Sequence, residues 1–175
     1  MTRTTDHPAT GRARALAVLA SGILAAVTLA GCGGDADSLA QRQAEVAQRG
    51  AEVMPFDLEA TTHRFEPTDT GLVQRVTADD PSDSEQVALI REHLEEEAAR
   101  FAQGDFDDPA SIHGDDMPGL AELRDGAADI DIQLEHLVDG AGLAYTTSDP
   151  TLLEALHRWG KAQVSDHGDH AEHGH

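Results

Sequence analysis

The sequence has few of the residues that usually stabilise small exported domains. Only one of its 175 residues is cysteine, Cys32, and 3% are aromatic. A single thiol excludes an internal disulfide and a thiolate-based metal cluster. The predicted domain must therefore be stabilised by packing of Leu, Ile, Val and Ala rather than by covalent links.

Basic residues are also scarce. The chain contains 12 Lys and Arg against 33 Asp and Glu, which gives a formal net charge of −21 at pH 7. A surface this negative repels nucleic acid phosphates and attracts cations or basic proteins. Nucleic-acid binding is therefore excluded, and a basic protein partner is favoured among macromolecules.

Signatures of the common enzyme classes are absent from the sequence. It contains no Gly-x-Ser-x-Gly elbow, no phosphate-binding glycine loop and no His-Glu-x-x-His zinc helix. Its many carboxylates could pair as acid and base, but a chain this acidic is expected to contain such pairs by composition. We therefore predict that the protein is not an enzyme.

The N-terminal segment has the organisation of a bacterial export signal. Arg3, Arg12 and Arg14 precede an uncharged apolar run at 15–30, which is too short to span a bilayer. Leu29-Ala30-Gly31-Cys32 resembles a lipobox, in which the cysteine thiol receives the lipid. This pattern predicts a signal peptide at 1–31, lipidation of Cys32, and a membrane-anchored protein facing the periplasm or the cell exterior.

Two alternatives remain open for this segment. Cys32 could be an incidental thiol within an uncleaved anchor, or an ordinary secretory signal could be cut at Ala30 or Gly31. In every case residues 32–37 read as a flexible tether. From Cys32 onward, 9 basic and 32 acidic residues give a net charge of −23.

Residues 38–164 are predicted to form a single α+β domain. A first helix should begin near Asp37 or Ser38 and end or bend at Gly50. A hairpin then spans 61–78, and Ser82 with Glu85 forms a capping-box pattern that opens the second helix. The buried stripe of that helix is formed by Val87, Ile90, Leu94, Ala98 and Phe101.

The second half repeats this order. Residues 105–119 read as a loop, and 120–124 as a short helix. Alternating polarity at 130–135 predicts a strand, and 143–147 is predicted to be the strand that pairs with it. Asp149 and Pro150 open a last helix. The predicted fold class is thus two ββα units forming an antiparallel sheet backed by helices, preceded by an N-terminal helix; duplication and chance similarity explain the repeat equally well.

Residues 165–175 form a tail rich in histidine and aspartate. Neutral imidazole is a good ligand for Zn, Cu or Ni, and a tail predicted to be disordered could wrap around an ion. The alternative is a solvated end with no metal role. The candidate metal ligands are His167, His170, His173 and His175.

A second candidate site lies in the central loop. His113 and Met117 are four residues apart, and an imidazole with a thioether could bind copper. The alternative is that Met117 packs into the core and His113 caps a turn. Nearby aspartates do not match an EF-hand, because Pro109 and Ala110 occupy key positions.

Segments spread over the predicted domain resemble a group of small exported bacterial proteins of unknown function, some of which carry an automatic aspartate carbamoyltransferase label. The chain has neither the Ser-Thr-Arg-Thr loop nor the His-Pro-x-Gln motif of true carbamoyltransferases, so the resemblance implies no catalytic residue. It rests on Met54-Pro55-Phe56-Asp57, Ile112-His113-Gly114-Asp115-Asp116-Met117-Pro118-Gly119-Leu120, Ala155-Leu156-His157-Arg158-Trp159 and Ser165-Asp166-His167-Gly168.

Together these features predict a lipid-anchored, non-enzymatic protein that binds or buffers a transition metal. The competing hypothesis is an acidic module of the cell envelope that meets a basic protein partner without any metal. An enzyme of unknown reaction is the third and least supported alternative. Whether His63, His93, His113 and His157 converge is the structural question that the sequence leaves open.

Overall fold

The computed structural model describes residues 34–168 and 171–173. The chain divides between Gly31 and Cys32 into two units, and every described residue belongs to the second. The predicted signal peptide at 1–31 and the predicted lipidation site, Cys32, lie outside the described residues. Within those residues, no helix is both long and apolar enough to cross a bilayer.

Five helices and five strands make up the described domain, with two short 3-10 turns at Leu58–Ala60 and Ala127–Asp129. In chain order the elements are α1 Gly34–Val53, β1 Thr61–Thr68, β2 Gly71–Ala78, α2 Ser84–Phe101, α3 Asp107–His113, α4 Leu120–Gly126, β3 Asp131–His136, β4 Gly140–Thr146, α5 Pro150–His167 and β5 Ala171–His173.

The strands form one sheet in the order β3-β4-β2-β1-β5. Strands β1 to β4 pair antiparallel, and β5 pairs with β1 in parallel. The predicted α+β fold class, with its antiparallel sheet and leading helix, is confirmed. The two ββα units are arranged symmetrically, because the second strand of each hairpin lies at the centre, where β2 meets β4.

The core lies between this sheet and the helices behind it. Along β1, Thr61, His63 and Phe65 are buried while the residues between them are more exposed, as alternation in a half-buried strand requires. Trp159 of α5 is the largest buried side chain. Its ring makes edge contacts with Phe65, Phe101, Phe106 and Tyr145, with centroids 6.0, 6.4, 6.3 and 5.7 Å away.

Three segments predicted to be irregular are regular in the structure. α1 begins at Gly34, so 34–37 are its first turn rather than a tether. Residues 107–113, predicted as loop, form α3. The loop prediction relied on Pro109, but proline is tolerated in the first turn of a helix, where Pro109 lies. Asp107 and Asp108 precede it and are stabilised at the positive end of the helix dipole.

The predicted disordered tail also begins too early. α5 continues to His167, and residues 171–173 form β5. The reason is Asp166, which is buried and bound by groups from two other helices. A sequence pattern cannot reveal such distant partners, so Asp166 reads as one more polar tail residue.

The N-terminus of α2 differs from the predicted capping box. The N-cap is Asp83, whose side chain accepts a hydrogen bond from the backbone N–H of Gln86. Ser82 instead donates its hydroxyl hydrogen to Asp80, at 2.6 Å. At α5 the prediction is confirmed, because Asp149 is the N-cap and Pro150 occupies the first helical position.

We predict that Gly119→Ala strongly destabilises the domain. Gly119 has φ +86°, and a Cβ there would lie 2.3 Å from the carbonyl oxygen of Ala155. Left-handed backbone costs about 1–2 kcal/mol for alanine, and a forced contact about 1–3 kcal/mol more. Urea unfolding should therefore show a loss of about 2–5 kcal/mol, summed from those two costs.

Gly50→Ala is the matched control. Gly50 lies inside α1, and its added Cβ would meet only the end of the flexible Leu58 side chain, at 3.0 Å. Alanine favours the helix by up to about 1 kcal/mol over glycine, so this variant should be unchanged or more stable. Equal urea midpoints for Gly119→Ala and the unmodified chain would contradict the packing described here.

Candidate functional site

Four histidines from four elements converge on one cavity. His63 comes from β1, His93 from α2, His113 from the end of α3 and His167 from the end of α5. With Glu97 they line a cavity of about 20 Å³, which we call the inner cavity. That volume is enough for roughly one water molecule. The convergence left open by the sequence is therefore found, with His167 in the place of His157.

Each of these side chains is positioned by its local structure. His63 shares the inward face of β1 with Thr61 and Phe65, and it is 3% exposed. His113 and His167 are the last residues of their helices, and the glycine after each has positive φ, +95° at Gly114 and +57° at Gly168. The C-termini of α3 and α5 therefore lie at this cavity, where the negative ends of their helix dipoles favour a positive charge.

The rings of three histidines are in contact. His63 and His167 are stacked, with centroids 5.2 Å apart and planes 2° apart. His113 and His167 meet edge to face, with centroids 5.1 Å apart. Two imidazoles bound to one tetrahedral ion at about 2.0–2.1 Å have centroids about 5 Å apart. The centroid spacing therefore matches that of two ligands of one ion, but parallel stacked rings cannot direct their in-plane lone pairs at the same ion.

The rings are not yet in coordinating positions. Within the described residues, no group of three or more His, Cys, Asp or Glu side chains is arranged to hold an ion. Nε2 of His167 lies 3.2 Å from the side-chain oxygen of Gln163. Binding of an ion by His167 through this nitrogen therefore requires the contact with Gln163 to break and the ring to turn.

His113 is held by a buried carboxylate. Its Nδ1 lies 2.9 Å from Asp166, and Arg42 of α1 donates two hydrogen bonds of 2.6 Å to the same carboxylate. Arg42 also donates to the carbonyl oxygen of His113, at 3.2 Å. A carboxylate can only accept, so the proton of a neutral His113 is fixed on Nδ1 and Nε2 keeps its lone pair.

The ionisation of Asp166 follows from these partners. Burial by itself would raise the pKa of Asp166, but the hydrogen bonds from His113 and Arg42 outweigh it and lower the pKa to about 2. Pairing with Asp166 in turn raises the pKa of Arg42. The carboxylate is therefore charged throughout the physiological pH range.

The opposite situation holds for Glu97 on α2. Burial, reinforced by the negative charge of Asp108 and opposed by Arg100, raises the pKa of Glu97 to about 8. Its Oε1 lies 3.6 Å from Nε2 of His93, beyond hydrogen-bond distance. Burial lowers the pKa of His93, so both groups are neutral near pH 7. This part of the inner cavity is polar but uncharged.

Two buried nitrogens at the inner cavity have no hydrogen-bond partner. Among the described residues, Nε1 of Trp159 and Nε2 of His93 have no hydrogen-bond partner. Gln74, by contrast, accepts a hydrogen bond of 2.8 Å from Tyr145. Buried polar atoms without partners are uncommon, and a small cavity beside them is suited to a bound water molecule or ligand atom.

The predicted metal ligands are brought together only in part. The structure joins His113 with His167, but Met117 is buried in the hydrophobic core and does not line the inner cavity. His173 belongs to β5, of which the backbone is described. His170 and His175 lie outside the described residues.

His157 and His136 do not belong to the cluster. His157 lies with Nε2 3.0 Å from the carbonyl oxygens of both Thr68 and Gly71, and it therefore closes the β1–β2 turn. His136 is exposed on β3, at the opposite edge of the sheet from β5.

Sequence reasoning missed the roles of His93, Glu97, Asp166 and Arg42. For the pair on α2 a signal existed, because residues 93 and 97 follow Ile90 at spacings of three and seven, as a buried helix face requires. For Asp166 and Arg42 none existed, because the two residues are 124 positions apart in the chain.

Comparison of this chain with protein-family models, with curated proteins and with solved structures finds no significant match. The function of the site must therefore be inferred from its own residues and geometry.

We predict that Glu97→Gln removes a stability penalty that grows with pH. The unfolded chain releases the Glu97 proton near its ordinary pKa of 4.5, whereas the folded chain keeps it to about pH 8. The penalty is therefore absent below pH 4.5 and increases up to pH 8. At pH 7 the metal-free variant should be more stable by about 3 kcal/mol, from 1.36 kcal/mol per pH unit.

Glu96→Gln provides the control, because Glu96 is exposed on the same helix. Urea unfolding at several pH values between 4.5 and 8 should give the same pH dependence for this control and the unmodified chain. Parallel curves for Glu97→Gln and the unmodified chain would contradict the assignment of a protonated Glu97.

Proposed function

We propose that this protein is a lipid-anchored extracytoplasmic binder of a divalent transition metal, and that His63, His113 and His167 are the ligands. The observation that carries the proposal is the contact of these three rings beside a carboxylate that orients one of them. The site residues are an interior cluster, and the histidine-rich tail is adjacent to it.

The Asp166–His113 pair supports a metal role directly. Histidines that bind metals usually donate their other ring N–H to a carboxylate or carbonyl, which fixes the tautomer and makes the ring a better ligand. His113 has this arrangement, with Nδ1 2.9 Å from Asp166. Neutral imidazole suits Zn, Cu and Ni, so the ligand type selects this group of metals rather than Ca or Mg.

The electrostatics of the domain support a cationic ligand. Residues from Cys32 onward have a net charge of −23, which raises the local concentration of cations around the domain. At the cluster itself, the C-termini of α3 and α5 add the negative ends of two helix dipoles. An ion here would be attracted by long-range charge and held by imidazole nitrogens.

The position of the tail supports a contribution from its histidines. β5 pairs in parallel with β1, with Ala171 opposite His63 and His173 opposite Phe65. Residues 171–173 therefore lie at the sheet edge beside β1, the strand that carries His63. Under this proposal the tail captures ions and passes them to the interior site, which gives the histidine-rich tail a buffering role.

The lipid anchor completes the proposal. The export signal and the Leu29-Ala30-Gly31-Cys32 motif support attachment of the chain at Cys32. α1 begins at Gly34, only two residues later. A diacylglyceryl group on Cys32 would therefore hold the domain close to the membrane surface.

We predict that Zn(II) binds the metal-free full chain with micromolar or better affinity through the interior cluster. In calorimetric titrations, His170→Gln, His173→Gln and His175→Gln together should remove only weaker sites, because these residues belong to the tail. His113→Gln with His167→Gln should remove the tightest site. Circular dichroism of each variant checks that it is folded, and absence of Zn(II) and Cu(II) binding at micromolar concentration would refute the metal role.

Asp166→Asn tests the orienting carboxylate in the same titration. Loss of such a partner typically weakens metal affinity by about 10–100-fold. Asp125→Asn serves as the control, because Asp125 is exposed on α4. Equal affinities for the two variants would show that Asp166 has no role in binding.

We predict that Cys32→Ser releases the protein from membranes, because serine cannot accept the thioether-linked lipid. Fractionation of expressing cells should find the unmodified chain with the membranes and the variant in the soluble exported fraction. Ser38→Ala, a small change in α1, provides the control. Retention of Cys32→Ser on membranes would contradict lipidation at this residue.

A further inference from the structure

A second cavity shares part of its lining with the histidine cluster. It has a volume of about 270 Å³, and we call it the outer cavity. Both cavities are lined by Phe56, His63 and His167. The other lining residues of the outer cavity belong to α1, to the segment 57–59 and, in Asp166, to α5. The lining thus combines aromatic rings, carboxylates and small apolar side chains.

We propose that the outer cavity binds a small organic ammonium ion, such as a compound that carries a trimethylammonium group. The inference goes beyond the proposed function and requires no metal at the histidine cluster. It gives the protein a second ligand, whose cationic group is recognised by aromatic rings and by carboxylates.

Three aromatic rings of the lining lie side by side. The centroids of Phe56 and His63 are 6.0 Å apart, and those of His63 and His167 are 5.2 Å apart. The face of a phenylalanine ring attracts a cation within about 6 Å, and proteins recognise quaternary ammonium ions in this way. The two imidazole rings extend the surface against which the methyl groups of such an ion can pack. The rings therefore favour an organic cation.

The charges of the lining also select a cation. Among the described residues that line the outer cavity there is no Lys or Arg, whereas Asp57, Glu59 and Asp166 are acidic. Arg42 pairs with Asp166, so the charge of that carboxylate is matched within the protein. The other two carboxylates would repel a ligand that carries a carboxylate or phosphate group. The C-terminus of α5, at His167, adds the negative end of a helix dipole.

The size and the apolar part of the lining suit a small ligand. The volume lies just below the usual range of ligand pockets, which is about 300–1,000 Å³. Ala47 and Ala51 lie one turn apart on α1, and Leu58 adds a third apolar side chain. A quaternary ammonium ion carries methyl groups in place of N–H donors, and these can pack against such side chains.

The experiment is a calorimetric titration of the metal-free full chain with choline at about pH 7.5, above the ordinary histidine pKa of about 6.5. The salt concentration is about 0.15 M, at which exposed charges more than about 8 Å apart are largely screened. Choline should bind in a saturable way. Its neutral analogue 3,3-dimethylbutan-1-ol has the same shape without the charge, and it should bind roughly tenfold more weakly.

Three variants locate the site. Asp57→Asn with Glu59→Gln should weaken choline binding roughly tenfold, because two nearby negative charges are lost. Phe56→Leu should weaken it roughly fivefold, because leucine keeps an apolar contact but has no aromatic face. Ala47→Phe places a bulky side chain in the lining and should also weaken binding. Position 47 is exposed, so this variant tests the inference even where circular dichroism shows that Phe56→Leu is unfolded.

Glu95→Gln with Glu96→Gln is the matched control, because both residues are exposed on α2 and line neither cavity. It removes the same number of negative charges and should bind choline like the unmodified chain. Ala99→Phe, also exposed on α2, is the control for Ala47→Phe.

Equal losses in the two double variants would show that choline is attracted by net charge alone, and would overturn the inference. Equal affinity for choline and its neutral analogue, unchanged binding in Ala47→Phe, or absence of choline binding would overturn it as well. Because the chain is free of metal throughout, none of these outcomes changes the result of the Zn(II) titrations that test the proposed function.

Discussion

A buried carboxylate, Asp166, paired with Arg42 and His113, organises the part of this domain that contains the histidine cluster. The side chain of Asp166 is 5% exposed, and burial of an unpaired charge would be strongly unfavourable. Arg42 and His113 offset that cost with hydrogen bonds of 2.6 Å and 2.9 Å. Because these three residues belong to α5, α1 and α3, one carboxylate joins three helices and orients a histidine of the cluster.

The second buried carboxylate shows what happens without such partners. No cation among the described residues donates a hydrogen bond to Glu97, and Arg100, which bonds to Asp105 and Asp108, lowers the pKa of Glu97 only from a distance. Glu97 therefore keeps its proton, with a pKa of about 8. One buried carboxylate is thus a fixed charge beside His113, and the other is a neutral polar group beside His93. Only the charged Asp166 fixes the orientation of the histidine next to it.

Local patterns in the sequence predict most elements of this fold, because hairpins and helix caps depend on nearby residues. Asp149 and Pro150 mark the start of α5 correctly, and alternation along 61–78 identifies both strands of the first hairpin. The cluster depends on distant contacts instead. His63 and His167 reach each other only because β1 and α5 pack together, and the short β5 is regular only where β1 is available to pair with it.

These contacts make α1 part of the site although it contributes no histidine. Arg42 lies in the third turn of a helix that begins two residues after Cys32, and Ala47 and Ala51 of that helix line a cavity of about 270 Å³ that His63 and His167 also line. If α1 left the domain, Asp166 would lose its bidentate partner, and the carboxylate that sets the tautomer of His113 would no longer be held by Arg42. Under the proposed function, attachment at the membrane and ligand binding therefore share one helix, and a change in how α1 docks must change the affinity of the cluster.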